Sequence, residues 1–236
     1  MVEISPILLA LVTGFFSGLL LSMPIGPVNL TIINEGARKG FLFAALIGLG
    51  AASMEVIYCS IAFTGFSSLF GSRIVKASME VFSFAFLLFL GIKFLTMKSI
   101  QAQTPIGVAA EKFEAKLEKK IQPHSAFAIG FIRVLGNFGV LLFWIWLAAY
   151  LMSHKAPFTD QEYVADILGV KLACVLGVWL GANFVFCMLS FGVSRGKGQF
   201  NERTLLRMQF FSGICLLGLG IFDGLHLAWQ LAKHKI

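Results

Sequence analysis

Six apolar stretches, each about as long as a bilayer is thick, follow one another along this chain with mostly short polar segments between them. A helix needs about 20 apolar residues to cross the ~30 Å hydrocarbon core. The stretches run roughly over Ile7–Ile33, Phe41–Phe70, Met79–Met97, Ala126–Ser153, Ile167–Val193 and Thr204–Gln230. Helix is the workable spanning state, because a lone strand leaves its backbone groups unsatisfied in lipid and a barrel would alternate polar with apolar residues. The predicted fold class is therefore all-α, a polytopic integral membrane protein of six transmembrane helices. Composition agrees: with 58% hydrophobic residues, 13% charged residues and a mean hydropathy of +0.85, water is not the main solvent. The first stretch opens Met1-Val2-Glu3-Ile4 without a basic region and is too long for a signal sequence, so we read it as a mature helix.

The net charge of +7 could suggest nucleic acid, but the basic residues lie in the segments between spans, where headgroups and topology account for them. The expected partner is the lipid bilayer, with no nucleic acid. Arg38 and Lys39, the lysines from Lys93 to Lys120, and the run from Arg195 to Arg207 share one side, which the positive-inside rule makes cytoplasmic. Both termini are then expected outside the cytoplasm. The one sizeable loop, Lys98–Ser125, spaces Phe113, Leu117 and Ile121 as one helical face among glutamates and lysines, so an amphipathic linker helix on the headgroups is expected there.

The halves repeat. Gly14-Phe15 answers to Gly130-Phe131, Leu87 to Ile92 answers to Leu216 to Ile221, and Glu55-Val56-Ile57-Tyr58-Cys59 lies against Asn183-Phe184-Val185-Phe186-Cys187. Three spans per repeat force the halves into opposite orientations, the inverted plan of many secondary transporters. The expected organisation is a first repeat over residues 1–97, the linker over 98–125 and a second repeat over 126–236.

Chemistry concentrates at a few intramembrane positions. Ser22-Met23-Pro24-Ile25-Gly26-Pro27-Val28-Asn29 puts two prolines and a glycine inside a span, which must kink or unwind there. A broken helix lines a cavity or is a packed structural kink; Pro24, Gly26, Pro27 and Asn29 are read as site residues. Glu55 lies near the middle of the second span, where an acidic residue costs about 2.5–3.5 kcal/mol on insertion scales, so it should face the bundle interior. Its helical face carries Gly48, Ala51, Cys59 and Ala62, small enough for close helix approach or a narrow cavity. Proton carriage is one reading and a protonated hydrogen bond across an interface the other. Arg133 either snorkels or meets a substrate carboxylate, and Asn137 and Asn183 either face the solute or bond between helices. Asp223 is read either as part of a proton exit path or as a local hydrogen bond with His226, and the four tryptophans as packing or interface anchoring unless they face the cavity.

The break in the first span, the Gly40 to Tyr58 run and the Phe86 to Lys93 close of the third span resemble the lysine-exporter type family, which includes homoserine and threonine exporters. Glu55 stands roughly where that family often has an aspartate. The resemblance implies an exporter of amino acids or related small polar solutes, driven by the proton gradient, with the solute held between the broken helices. In the fourth span the family's Asn-Pro-Lys is replaced by Asn137-Phe138-Gly139, and losing that proline is expected to remove a helix break. Arg133, one turn earlier, is the candidate replacement for the missing lysine.

Two other classes stay open. A divalent metal-ion transporter could draw on Glu55, Asn29, Asn137 and Asp223, although only one acid is central. A membrane thiol-redox component would need reactive Cys59 and Cys187, yet these, Cys174 and Cys215 lie inside predicted spans without paired spacing. No nucleophile–base pair, metal motif or phosphate loop is found, so no enzyme activity and no cofactor is expected. Small-residue helix faces are compatible with a homodimer and equally with packing inside one chain.

Overall fold

The computed structural model describes residues 5–65, 73–97, 116, 125–153, 167–195 and 202–232. The described residues are helical almost throughout: α1 (Pro6–Ser22), α2 (Pro27–Lys39), α3 (Phe41–Gly65), α4 (Arg73–Thr96), α5 (Ala126–Leu135), α6 (Phe138–Ser153), α7 (Ile167–Arg195) and α8 (Glu202–Ala232). The linker expected over 98–125 lies outside the described residues except for Lys116 and Ser125.

Helix boundaries follow local chemistry. Pro6 and Pro27 sit at the first turns of α1 and α2, where a missing N–H removes no helical bond. Gly40 takes φ 86°, the left-handed region that favours glycine, and so lets α2 stop and α3 begin one residue later. Ser125 caps α5 by accepting the Ala128 N–H at 3.2 Å.

The spans expected at Ile7–Ile33 and Ala126–Ser153 are each two helices. α1 and α2 meet at 74°, and α5 and α6 at 67°. The second break corrects the expectation that losing the proline would straighten the fourth span. Gly136 and Asn137 stop α5 without it: the Asn137 N–H bonds Val134 O at 2.9 Å, and the Asn137 side-chain oxygen accepts the Gly139 N–H at 3.1 Å to start α6. An asparagine can cap a new helix as effectively as a proline ends an old one. The segments Phe41–Phe63, Leu168–Arg195 and Arg203–Phe222 are long and apolar enough to cross a membrane alone, and Phe84–Thr96 of α4 is a shorter apolar stretch. The chain is a multi-pass membrane protein.

Lipid-facing and packed surfaces separate clearly. Along α7, Leu168, Leu172, Leu176, Leu180, Phe184 and Met188 recur every fourth residue and are exposed, a stripe that only hydrocarbon would solvate. The opposite side of the bundle is close-packed, with Ala51, Cys59 and Ala62 on the Glu55 face of α3 fully buried. Three crossings organise it, all through small residues. On α1, a Cβ at Gly14 or Gly18 would strike the backbone oxygens of Cys174 and Val178 on α7, and one at Gly177 or Gly181 would strike those of Leu11 and Phe15. On α3 and α5, Gly130 lies against Ile47 O and Gly50 against Phe127 O. On α4 and α8, Gly224 abuts Phe84, Gly220 abuts Leu87 and Gly213 abuts Leu95. The first two pairs run parallel and the third antiparallel.

Candidate functional site

The break between α1 and α2 leaves backbone groups without helical partners inside the bundle; α2 and α8 supply those partners, and α3 bonds the side chain that ends α1. Asn29, on the first turn of α2, turns back and donates both hydrogens of its amide, to Ser22 O at 3.0 Å and Pro24 O at 2.7 Å. From α8, the side-chain oxygen of Gln209 accepts the Ile25 N–H at 2.6 Å. From α3, Glu55 Oε2 accepts the Ser22 hydroxyl at 3.3 Å. Asn29, Glu55, Ser22 and Gln209 are all at most 4% exposed, so these bonds form away from solvent, where an unmade bond costs most.

Two features of the break remain open. The α2 N-terminus has no side-chain cap, and its first position is proline, so its leading amides carry the positive end of the helix dipole with little to neutralise it. A Cβ placed on Gly26 would meet nothing within 4 Å, so there is room beside this terminus. Asn29 Oδ1 is buried and has no hydrogen-bond partner among the described residues. Because both amide hydrogens are engaged, the leftover group is unambiguously an acceptor. A cavity of about 300 Å³ opens here, with Asn29 as its polar residue and Leu19, Met23, Met188, Leu189 and Met208 among the rest of its wall. A larger groove of about 510 Å³ lies between the end of α4 and the start of α8, beside Arg207, away from the break.

The second break is tied to the first through α3. Tyr58, one turn beyond Glu55, donates its hydroxyl to Leu135 O at 2.6 Å and so closes the end of α5. One helix therefore supports both interruptions, Glu55 at one and Tyr58 at the other.

Of the residues singled out in the sequence, Pro24, Gly26, Pro27, Asn29 and Glu55 come together at the first break. Asn137 forms the second, with its side chain engaged in capping α6. Arg133 is half-buried on the last turn of α5. Asn183 does not join them by hydrogen bonding: its Nδ2 donates to Trp179 O on its own helix at 2.8 Å. The side chain of Asp223 lies outside the described residues. Trp144 and Trp146 are packed in the core and Trp229 faces outward. The four cysteines are free thiols, with Cys59 and Cys174 buried, and among the described residues no group of three His, Cys, Asp or Glu side chains converges. Ser22 and Tyr58 were given no site role by the sequence, and Gln209 was not singled out. Gln209 left one signal, an amide within an apolar stretch.

The family described as LysE type translocator matches residues 19–225 of this chain. A Bacillus subtilis (strain 168) protein named "Putative amino acid efflux protein YcgF" is 27% identical over 207 residues, covering 88% of this chain and 91% of that protein. No solved structure matches.

Proposed function

This chain belongs to the LysE type translocator family, and on that premise we propose that it exports amino acids or related small polar solutes across the cytoplasmic membrane, coupled to the proton gradient. The observation that carries the reading is the uncapped N-terminus of α2 at an intramembrane break, with the acceptor Asn29 Oδ1 on its first turn and the carboxyl group of Glu55 one hydroxyl away. A half-helix N-terminus favours a carboxylate. An amide oxygen with no other partner suits an ammonium. The two lie side by side, as they do in an amino acid.

Glu55 is the coupling residue in this scheme. Its described hydrogen bond comes from Ser22, the last residue of α1, so gain or loss of a proton at Glu55 bears directly on the hinge. Arg133 and Asn137 belong to the matching hinge of the other half, and Asn183 contributes helix-internal bonding.

Alternating access follows from rocking of two inverted three-helix repeats, residues 1–97 and 126–236, joined by the linker over 98–125. The packing supports this division. One displacement along the chain carries Leu11 onto Phe127 and Gly14 onto Gly130; a second carries Ile47 onto Cys174 and Gly50 onto Gly177. The contact of α1 with α7 thereby becomes that of α5 with α3. A third displacement exchanges the two sides of the α4–α8 crossing, taking Phe84–Gly224 into Gly213–Leu95. The first and third reproduce the sequence alignments at Gly14 and Leu87. The second differs by one residue from the alignment at Glu55: in this register Glu55 corresponds to Ala182, not Asn183, so one half alone carries the acid.

The test is efflux of a labelled amino-acid panel from proteoliposomes of checked orientation, with and without a pH gradient, for the wild type and Glu55→Gln. Gradient-dependent movement in the wild type, lost or uncoupled in Glu55→Gln, is the expected result. Unchanged pH dependence in Glu55→Gln removes Glu55 from coupling, and immobility of every amino acid with folded protein removes the exporter reading.

A further inference from the structure

The geometry points to a neutral amino acid with an unbranched or γ-branched apolar side chain, of the methionine or leucine kind, as the preferred solute, an inference that rests on the exporter reading above. Beside the α2 N-terminus and Asn29 Oδ1, which suit the two charges of any amino acid, the remaining wall of the cavity decides which side chain is accepted. That wall is apolar. Leu19 comes from α1 and Met23 from the break just after it, Phe184, Val185, Met188 and Leu189 from α7, and Met208 from α8.

Among the described residues Asn29 is the one polar side chain lining the cavity, so a charged side chain extending along its wall would find no counter-charge there, and burying an unpaired charge is strongly unfavourable. A hydroxyl would likewise compete for the single acceptor already matched to the ammonium. An apolar side chain loses nothing on entry and gains the burial of its own surface. Size points the same way. At about 300 Å³ the cavity stands at the lower limit of ligand pockets, which run from about 300 to 1,000 Å³, enough for one amino acid. Three of the chain's eight methionines meet here; their unbranched, polarisable side chains adapt to a flexible aliphatic or thioether guest. The outer wall is formed by Phe184 and Met188, both also about half exposed on the lipid-facing stripe of α7, so the rim they make presents no polar group to a hydrophilic side chain.

Counterflow in proteoliposomes without a pH gradient tests this separately from coupling. Vesicles holding the full-length protein and one unlabelled amino acid (leucine, methionine, alanine, lysine or aspartate) are exposed to labelled leucine, then to labelled alanine. The expected result is exchange with leucine and methionine at least about tenfold above lysine and aspartate, the scale of one apolar side chain gaining or losing burial. Val185→Phe, which fills the cavity from the half-buried side of α7, should lower leucine exchange by about tenfold relative to alanine. Lysine or aspartate exchanging as well as leucine overturns the side-chain assignment and leaves the exporter reading standing, as does an unchanged leucine-to-alanine ratio in folded Val185→Phe. Absence of exchange for every amino acid, including alanine, overturns both.

Discussion

Tyr58 and Gln209 do for the two breaks what residues inside the breaks cannot, because an interrupted helix in lipid must borrow partners from its neighbours. Gln209 reaches Ile25 from 184 residues away and Tyr58 reaches Leu135 from 77. Such pairings leave almost no local trace, which is why neither residue stood out in the sequence while Glu55, a charge in an apolar run, did. Tyr58→Phe removes only the hydroxyl, leaving Leu135 O unsatisfied beside a buried ring. The expected cost is about 1–2 kcal/mol, read as a lowered melting temperature of the purified protein in detergent. A melting temperature equal to that of the wild type would mean that the Leu135 carbonyl finds another partner and that the second break does not depend on α3. The residue scale also divides the asparagines, which the sequence presented alike: Asn29 caps a break and keeps a spare acceptor, Asn137 starts a helix, and Asn183 bonds backward along its own helix.

At the scale of elements, helix pairs are held by backbone approach through glycine, and the identity of the glycine decides everything. Gly14 and Gly177 face the opposing backbone across the α1–α7 crossing, whereas Gly218 on α8 has nothing within 4 Å of its would-be Cβ. Gly14→Val should therefore force α1 and α7 apart, an overpacking cost of about 1–3 kcal/mol or more since backbone has little room to yield, with loss of the monodisperse peak in size-exclusion chromatography. Gly218→Ala should leave that peak intact and raise stability slightly, by up to about 1 kcal/mol from helix propensity. Equal behaviour of the two variants would sink the crossing as drawn. Both glycines lie in apolar stretches that read as spans, so the spans were legible from hydropathy alone. Which face of each span meets which neighbour was not, because lipid-facing and packed faces are equally apolar here and the hydrophobic pattern carries no direction.

For the whole molecule, the alternation of helix directions fixes which ends share a side. If the basic ends are cytoplasmic, α1 begins outside and α2 ends inside, with Arg38 and Lys39 on its last turn. In a background with the four native cysteines replaced, Ser5→Cys should react with a membrane-impermeant maleimide on intact cells, and Lys39→Cys only after permeabilisation. The reverse pattern would invert the topology. Taken by itself, the sequence determined that the chain spans a membrane, that its first apolar stretch is interrupted between Ser22 and Pro27, and that Glu55 is buried inside the bundle. It could do so because hydropathy, proline and buried charge act locally, with costs large enough to leave few alternatives. Only the tertiary structure decided that the fourth span is also broken, that Glu55 reaches Ser22 while Asn183 turns away, and that the space beside Asn29 is walled by methionine and leucine. Those outcomes depend on which helices lie in contact, and contact between faces of equal polarity is settled by shape, by where a glycine lets two backbones meet, rather than by any residue's preference for water or lipid.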